Sequence, residues 1–149
     1  MRIVIQRVTR ASVSIEGRVE SAIEKGMMVL LGVGYADTDD DIDWLVKKTI
    51  NLRIFDDSEG VMNLSVKDVE GSILVVSQFT LMASCKKGNR PSYIHAASPD
   101  VSVPPYERFC QRLSESLGKP VSTGVFGADM QVELVNDGPV TIVIDSKDK

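Results

Sequence analysis

Ile73, Leu74, Val75 and Val76 form an unbroken apolar run, and a strand of that composition can line a core on both of its faces. The run then ends on Ser77, Gln78 and Thr80 around Phe79, where more Val or Ile would serve packing better. A buried hydroxyl or amide left without a partner costs about 1 to 3 kcal/mol. The polar groups that close "SILVVSQFTL" must therefore be satisfied within the protein or by something that binds.

The chain of 149 residues is long enough for one domain, expected to span residues 1–149 and to bury roughly two thirds of the surface of the unfolded chain. With 43% hydrophobic and 26% charged residues it has the apolar content to close a core. The longest apolar run, "MMVLLGVGY" from Met27, falls well short of the roughly 20 residues that span a bilayer. Arg2, Arg7 and Arg10 are scattered through "MRIVIQRVTR", which lacks the order of a secretory signal. A cytoplasmic protein with no membrane partner is expected. Cys85 and Cys110 are too few for a disulfide scaffold or a zinc cluster and are expected as thiols.

Period-two alternation runs through Ile3 and Ile5, and Glu16-Gly17 marks a hairpin turn between Val13/Ile15 and Val19. "MMVLLGVG" reads as a buried central strand. The acids of "DTDDDIDWLVKKTINLRIF" suit a helix N-terminus, and Ile42, Leu45, Val46, Thr49 and Ile50 follow at helical spacing. Pro104 and Pro105 are expected to introduce a second helix that buries Tyr106, Phe109, Cys110, Leu113 and Leu117 and stops at Gly118. Two strands, "MQVELV" and "VTIVI", close the chain. The expected fold is α+β, a mainly antiparallel, barrel-like sheet with two amphipathic helices.

The net charge of −4 argues against a protein that coats nucleic acid over its whole surface. Lys86, Lys87 and Arg90 in "CKKGNRPS" form one local basic patch, which charge alone reads as a solvated turn. His95 is the only histidine, so a two-histidine metal site is impossible within one chain, and no partner for a catalytic base is evident. Asp37 to Asp43 coincide with the helix start. No metal and no cofactor are expected, and an enzyme built here works with backbone groups and neutral side chains. Asn136-Asp137-Gly138 in "VNDGPVTIVI" is turn chemistry between two β-rich runs. Pro139 at the mouth of the second run removes a donor and permits a cis peptide.

Taken together, "VVSQFTL", "FGADMQVELVNDGPVT", "QRVTRASV" and "GNRPS" closely resemble the D-aminoacyl-tRNA deacylase family over essentially the whole chain. The resemblance implies hydrolysis of the ester between a D-amino acid and the terminal adenosine of tRNA, with glycyl-tRNA(Ala) also accepted. It implies a homodimer in which Ser77, Gln78, Phe79 and Thr80 of one copy face a cis Gly138-Pro139 pair of the other. It places Asn136 and Met130 beside the substrate, and Lys86, Lys87 and Arg90 on phosphates of the acceptor end. Backbone N–H groups near Phe79 and Thr80 would hold the oxyanion, Thr80 would position rather than attack, and the tRNA's own 2′-hydroxyl would help activate water. Tyr93 stands where relatives often carry Phe. A branch acting on mischarged L-alanyl-tRNA and a non-catalytic nucleic-acid-binding module are the alternatives.

Overall fold

The computed structural model describes residues 1–149. Its elements run β1 (Arg2–Ile15), β2 (Arg18–Ile23), β3 (Gly26–Gly32), α1 (Asp39–Asn51), β4 (Phe55–Asp56), β5 (Met62–Leu64), β6 (Ser72–Ser77), a 3₁₀ helix (Phe79–Met82), α2 (Pro99–Leu117), β7 (Ser122–Thr123) and β8 (Gln131–Asp145). One six-stranded sheet has the order β2-β1-β3-β6-β7, with β8 on β1, and β4 pairs with β5 apart from it.

The sheet is mixed. β1 pairs antiparallel with β2, β3 and β8, whereas β3–β6 and β6–β7 are parallel. Parallel neighbours need long crossovers, and α1 and α2 lie in those two connections. This accounts for the unbroken apolar runs: β3 and β6 are the parallel pair and are covered on both faces. Ile73 and Val75 join Met27, Val29 and Leu31 in a core capped by Ile42, Leu45 and Val46 of α1 and Phe109 and Leu113 of α2. Leu74 and Val76 join Met28, Val8, Val13 and Ile23 in a second cluster on the other face. β1 serves both, giving Ile3 and Ile5 to the first and Val8, Ala11 and Val13 to the second, so the sheet curls over itself.

The first helix forms as its pattern predicts. The Thr38 backbone N–H donates to Asp41 Oδ2 at 2.7 Å, and Ile42, Leu45, Val46, Thr49 and Ile50 are buried. The second starts earlier than its prolines suggest, at Pro99, and Pro104 and Pro105 lie inside it. A proline in a helix frees the carbonyl four residues back. Those carbonyls belong to Asp100 and Val101, both exposed, so water can satisfy them. Gly118 ends α2 at φ 85°, a left-handed cap suited to glycine.

The last two expected strands are one. β8 keeps pairing with β1 from Ser14↔Gln131 to Arg2↔Asp145, but the register jumps between Val8↔Asn136 and Gln6↔Thr141. Asp137, Gly138, Pro139 and Val140 thus lie opposite Arg7 alone. The turn chemistry of Asn136-Asp137-Gly138 makes an excursion within a strand rather than a hairpin between two.

Candidate active site

At the end of β6 the Gln78 N–H donates to the Leu31 carbonyl at 2.8 Å, extending the pairing with β3 by one residue. The chain then tightens into the 3₁₀ helix, whose first bond runs from Leu81 N–H to the Gln78 carbonyl at 3.2 Å. The N–H groups of Phe79 and Thr80 precede that ladder and have no partner within it. The far end is tied by Arg2, whose Nη1 donates to the Leu81 carbonyl at 2.7 Å. Arg2 is itself held by Asp145 Oδ2, at 2.9 Å from Nε and 2.8 Å from Nη2.

Ser77, Gln78 and Phe79 open onto a cavity of about 390 Å³ that also has Met130, Tyr93, Tyr106 and Phe126 in its walls. No Asp, Glu, His, Lys or Arg lines it. Phe79 packs edge-on against Tyr93 with centroids 5.1 Å apart and is 56% exposed. It is an accessible ring beside the site, not a core residue. Also in the lining, Tyr106 stands at 5.6 Å from Phe126 and donates to the Val75 carbonyl at 3.3 Å. Burial pushes its phenol far up from the ordinary value, with Cys110 adding to the effect, so Tyr106 stays a neutral hydrogen-bond donor. Such a cavity can hold a flat or apolar group against aromatic walls while neutral amides and hydroxyls contact its polar edge.

Thr80 is exposed and outside the cavity lining, and its hydroxyl accepts from Gln78 Nε2. The remaining expected site residues fall elsewhere. Gly138 and Pro139, joined by a cis peptide, lie on the β8 excursion, and neither they nor Asn136 line the cavity of their own chain. The Asn136 side chain spans that excursion: Oδ1 accepts from Val140 N–H at 2.8 Å, and Nδ2 donates to Thr141 Oγ1 at 3.2 Å. Lys86, Lys87 and Arg90 are exposed on the loop between Ser84 and Ser92, which bridge one another. None of the three takes part in an ion pair.

Arg7 is the residue that sequence reasoning missed. It is 8% exposed, donates from Nε to the Asp137 carbonyl at 2.8 Å and from Nη1 to the Ile54 carbonyl at 2.7 Å, and so braces the excursion from beneath. The signal was present: Arg7 continues the inward phase set by Ile3 and Ile5, and an arginine on the buried side of a strand needs fixed acceptors.

The D-Tyr-tRNA(Tyr) deacylase family model matches residues 4–145. A protein of Bacteroides fragilis (strain YCH46) named D-aminoacyl-tRNA deacylase is 66% identical over 149 residues, covering 100% of this chain and 99% of that one. A Porphyromonas gingivalis (strain W83) protein of the same name is 64% identical over the same coverage. Among solved structures, the c-Myc DNA Unwinding Element Binding Protein superposes with a TM-score of 0.93 at 42% identity, covering 97% of this chain and 98% of that one. A probable eukaryotic D-amino acid tRNA deacylase at 20% identity and a TM-score of 0.82, covering 96% and 97%, shares the fold. No helix is long and apolar enough to cross a membrane. With the match running over nearly the whole chain and through both motif segments, this chain belongs to the D-Tyr-tRNA(Tyr) deacylase family.

Proposed function

We propose that this chain is a cytoplasmic ester hydrolase that removes D-amino acids, and glycine from glycyl-tRNA(Ala), from the 3′ end of tRNA. The observation that carries the reading beyond family membership is the uncharged cavity at Ser77, Gln78 and Phe79, beside two N–H groups outside the hydrogen-bond ladder. An aminoacyl ester is already activated, so orientation, a placed water and stabilisation of the oxyanion supply the catalysis without a protein base. The N–H groups of Phe79 and Thr80 are the oxyanion donors, Thr80 positions Gln78, and the 2′-hydroxyl of the terminal ribose assists the water.

The active unit is a homodimer. Gly138 and Pro139 are absent from the cavity of their own chain, and β8, which carries them, pairs on one edge only. The reading has a second copy bring its Gly138–Pro139 pair to the cavity. The two carbonyls then hold the α-amino group and leave no room for an L side chain. Lys86, Lys87 and Arg90 meet phosphates of the acceptor end.

Incubation with D-tyrosyl-tRNA and L-tyrosyl-tRNA tests the proposal. Rapid release from the D-ester alone supports it, and release of L-alanine from mischarged L-alanyl-tRNA in its place would assign the chain to the related L-specific branch. The similarity to a DNA unwinding element binding protein favours one other reading, a nucleic-acid-binding module. That reading requires tRNA binding without hydrolysis of any ester.

A further inference from the structure

A second cleft, of about 710 Å³, opens beyond the C-terminal end of the 3₁₀ helix, where Met82 to Lys86 form one wall. Three of its cationic groups are already engaged. The Met1 ammonium is paired with Asp37, Arg2 with Asp145 at 2.8 Å and Lys147 with Asp41 at 2.8 Å. Lys86 has no such partner, and His95 lies in the same lining. Tyr35 belongs to the same lining. It is 59% exposed, yet its hydroxyl accepts from Ser98 N–H at 3.2 Å, which fixes the ring at the start of α2. An exposed ring held at its far end and an unpaired ammonium in one cleft are the pairing of stacking platform and backbone cation that binds single-stranded nucleic acid.

The location narrows the occupant. Rising about 2 Å per residue, the 3₁₀ helix sets Met82 roughly 6 Å beyond Phe79, a separation on the scale of one nucleotide. The cavity at Ser77 and Phe79 and the cleft at Met82 and Lys86 therefore flank a single turn of chain. We propose that this cleft receives the nucleotides that precede the terminal adenosine of the tRNA 3′ end, with a base against Tyr35 and a phosphate at Lys86. The inference rests on the hydrolytic reading above and adds to it a subsite and a residue, Tyr35, that phosphate contacts on the basic loop do not include.

The test compares D-tyrosyl esters of adenosine, of the trinucleotide ending in that adenosine, and of full tRNA, each hydrolysed by the full chain. The trinucleotide should have a KM about tenfold or more below that of the adenosine ester at similar kcat. That gain should disappear in Tyr35→Ala, shrink in Lys86→Ala and persist in reduced form in Tyr35→Phe, which keeps the ring but loses the hydroxyl that anchors it. A trinucleotide no better than adenosine, or a gain that persists in both alanine variants, overturns the cleft assignment while leaving the hydrolytic reading in place. Failure to hydrolyse any of the three esters overturns that reading, and the subsite with it.

Discussion

Arg7 Nε donates to the Asp137 carbonyl at 2.8 Å, so a side chain of the first strand fixes the backbone immediately before Gly138 and Pro139. Its Nη1 holds the Ile54 carbonyl, and the carboxylates of Asp56 and Asp137 lie at 3.5 and 3.7 Å. Two carbonyls addressed at once need a planar fork, which lysine lacks. Arg7→Lys should therefore leave a buried carbonyl unpaired and lower stability by about 1 to 3 kcal/mol. It should also erode D-over-L selectivity. Urea unfolding and paired D- and L-tyrosyl-tRNA assays check this, and a variant matching the parent in both would remove Arg7 from the role.

Thr80 offers a hydroxyl bonded to the Gln78 amide, with no base beside it. Thr80→Ala should lower kcat by less than about tenfold, whereas loss of a true nucleophile costs several orders of magnitude. Replacing the terminal 2′-hydroxyl of the tRNA by hydrogen, with the amino acid on the 3′ oxygen, should cost about a hundredfold or more. Binding of that tRNA is measured alongside. A trapped acyl-enzyme on Thr80 would reverse both assignments.

β8 pairs with β1 along one edge, and its other edge pairs with no strand of the chain. Val135 and Val143 on it are 39% and 63% exposed. Long free edges invite pairing between chains, and a two-fold contact would cover two such strands at once. Sedimentation equilibrium should return twice the chain mass. An active species of single-chain mass would sink the shared-site arrangement.

Asp41 should govern acid stability. Burial opposes its charge, but hydrogen bonds from Lys147, Ser146 and the Thr38 backbone prevail and hold the carboxyl far below its ordinary 3.8. The unfolded chain then binds the proton more readily, so the stabilisation is complete above about pH 4 and drains away as pH falls toward the folded value. Lys147→Ala removes one of those bonds, and because Lys147 is half exposed the loss should be about 1 kcal/mol. Its acid unfolding midpoint should move to higher pH. An unmoved midpoint would show that Lys147 does not set the Asp41 proton affinity.

The two thiols should react unequally. Cys85 is exposed, whereas burial pushes the half-buried Cys110 thiol up to about 11. Only the thiolate alkylates. At pH 8, iodoacetamide should therefore label one position quickly, and peptide mapping should find it at Cys85. Equal labelling at Cys110 would mean that α2 opens readily.

The helix at Asp39–Asn51 was legible because its capping acids and its apolar spacing agree, and the runs in β3 and β6 because both faces are covered. The start of α2 was obscured by Pro104 and Pro105, since their cost depends on whether Asp100 and Val101 reach water, which is a tertiary fact. Asn136 to Pro139 carries the same local turn chemistry whether it closes a hairpin or bulges from a strand; only pairing of both flanks with β1 decides. Of the polar end of β6, Ser77 and Gln78 line the cavity, whereas Thr80 lies outside it and is bonded to Gln78, a local pairing that composition does not reveal. Arg7 did not, because its partners are backbone carbonyls of Ile54 and Asp137, distant in sequence.

The double attachment of β8 has a further consequence. Residues 131–136 and 141–145 are each keyed to β1 by their own set of partners, so neither flank depends on the other for its alignment. A change of length among the four residues between them would be absorbed locally, without sliding the strand. Alignment of the strand is thereby separated from the shape of what it presents, which Arg7 and Asn136 set by their own bonds to the Asp137 carbonyl and the Val140 N–H.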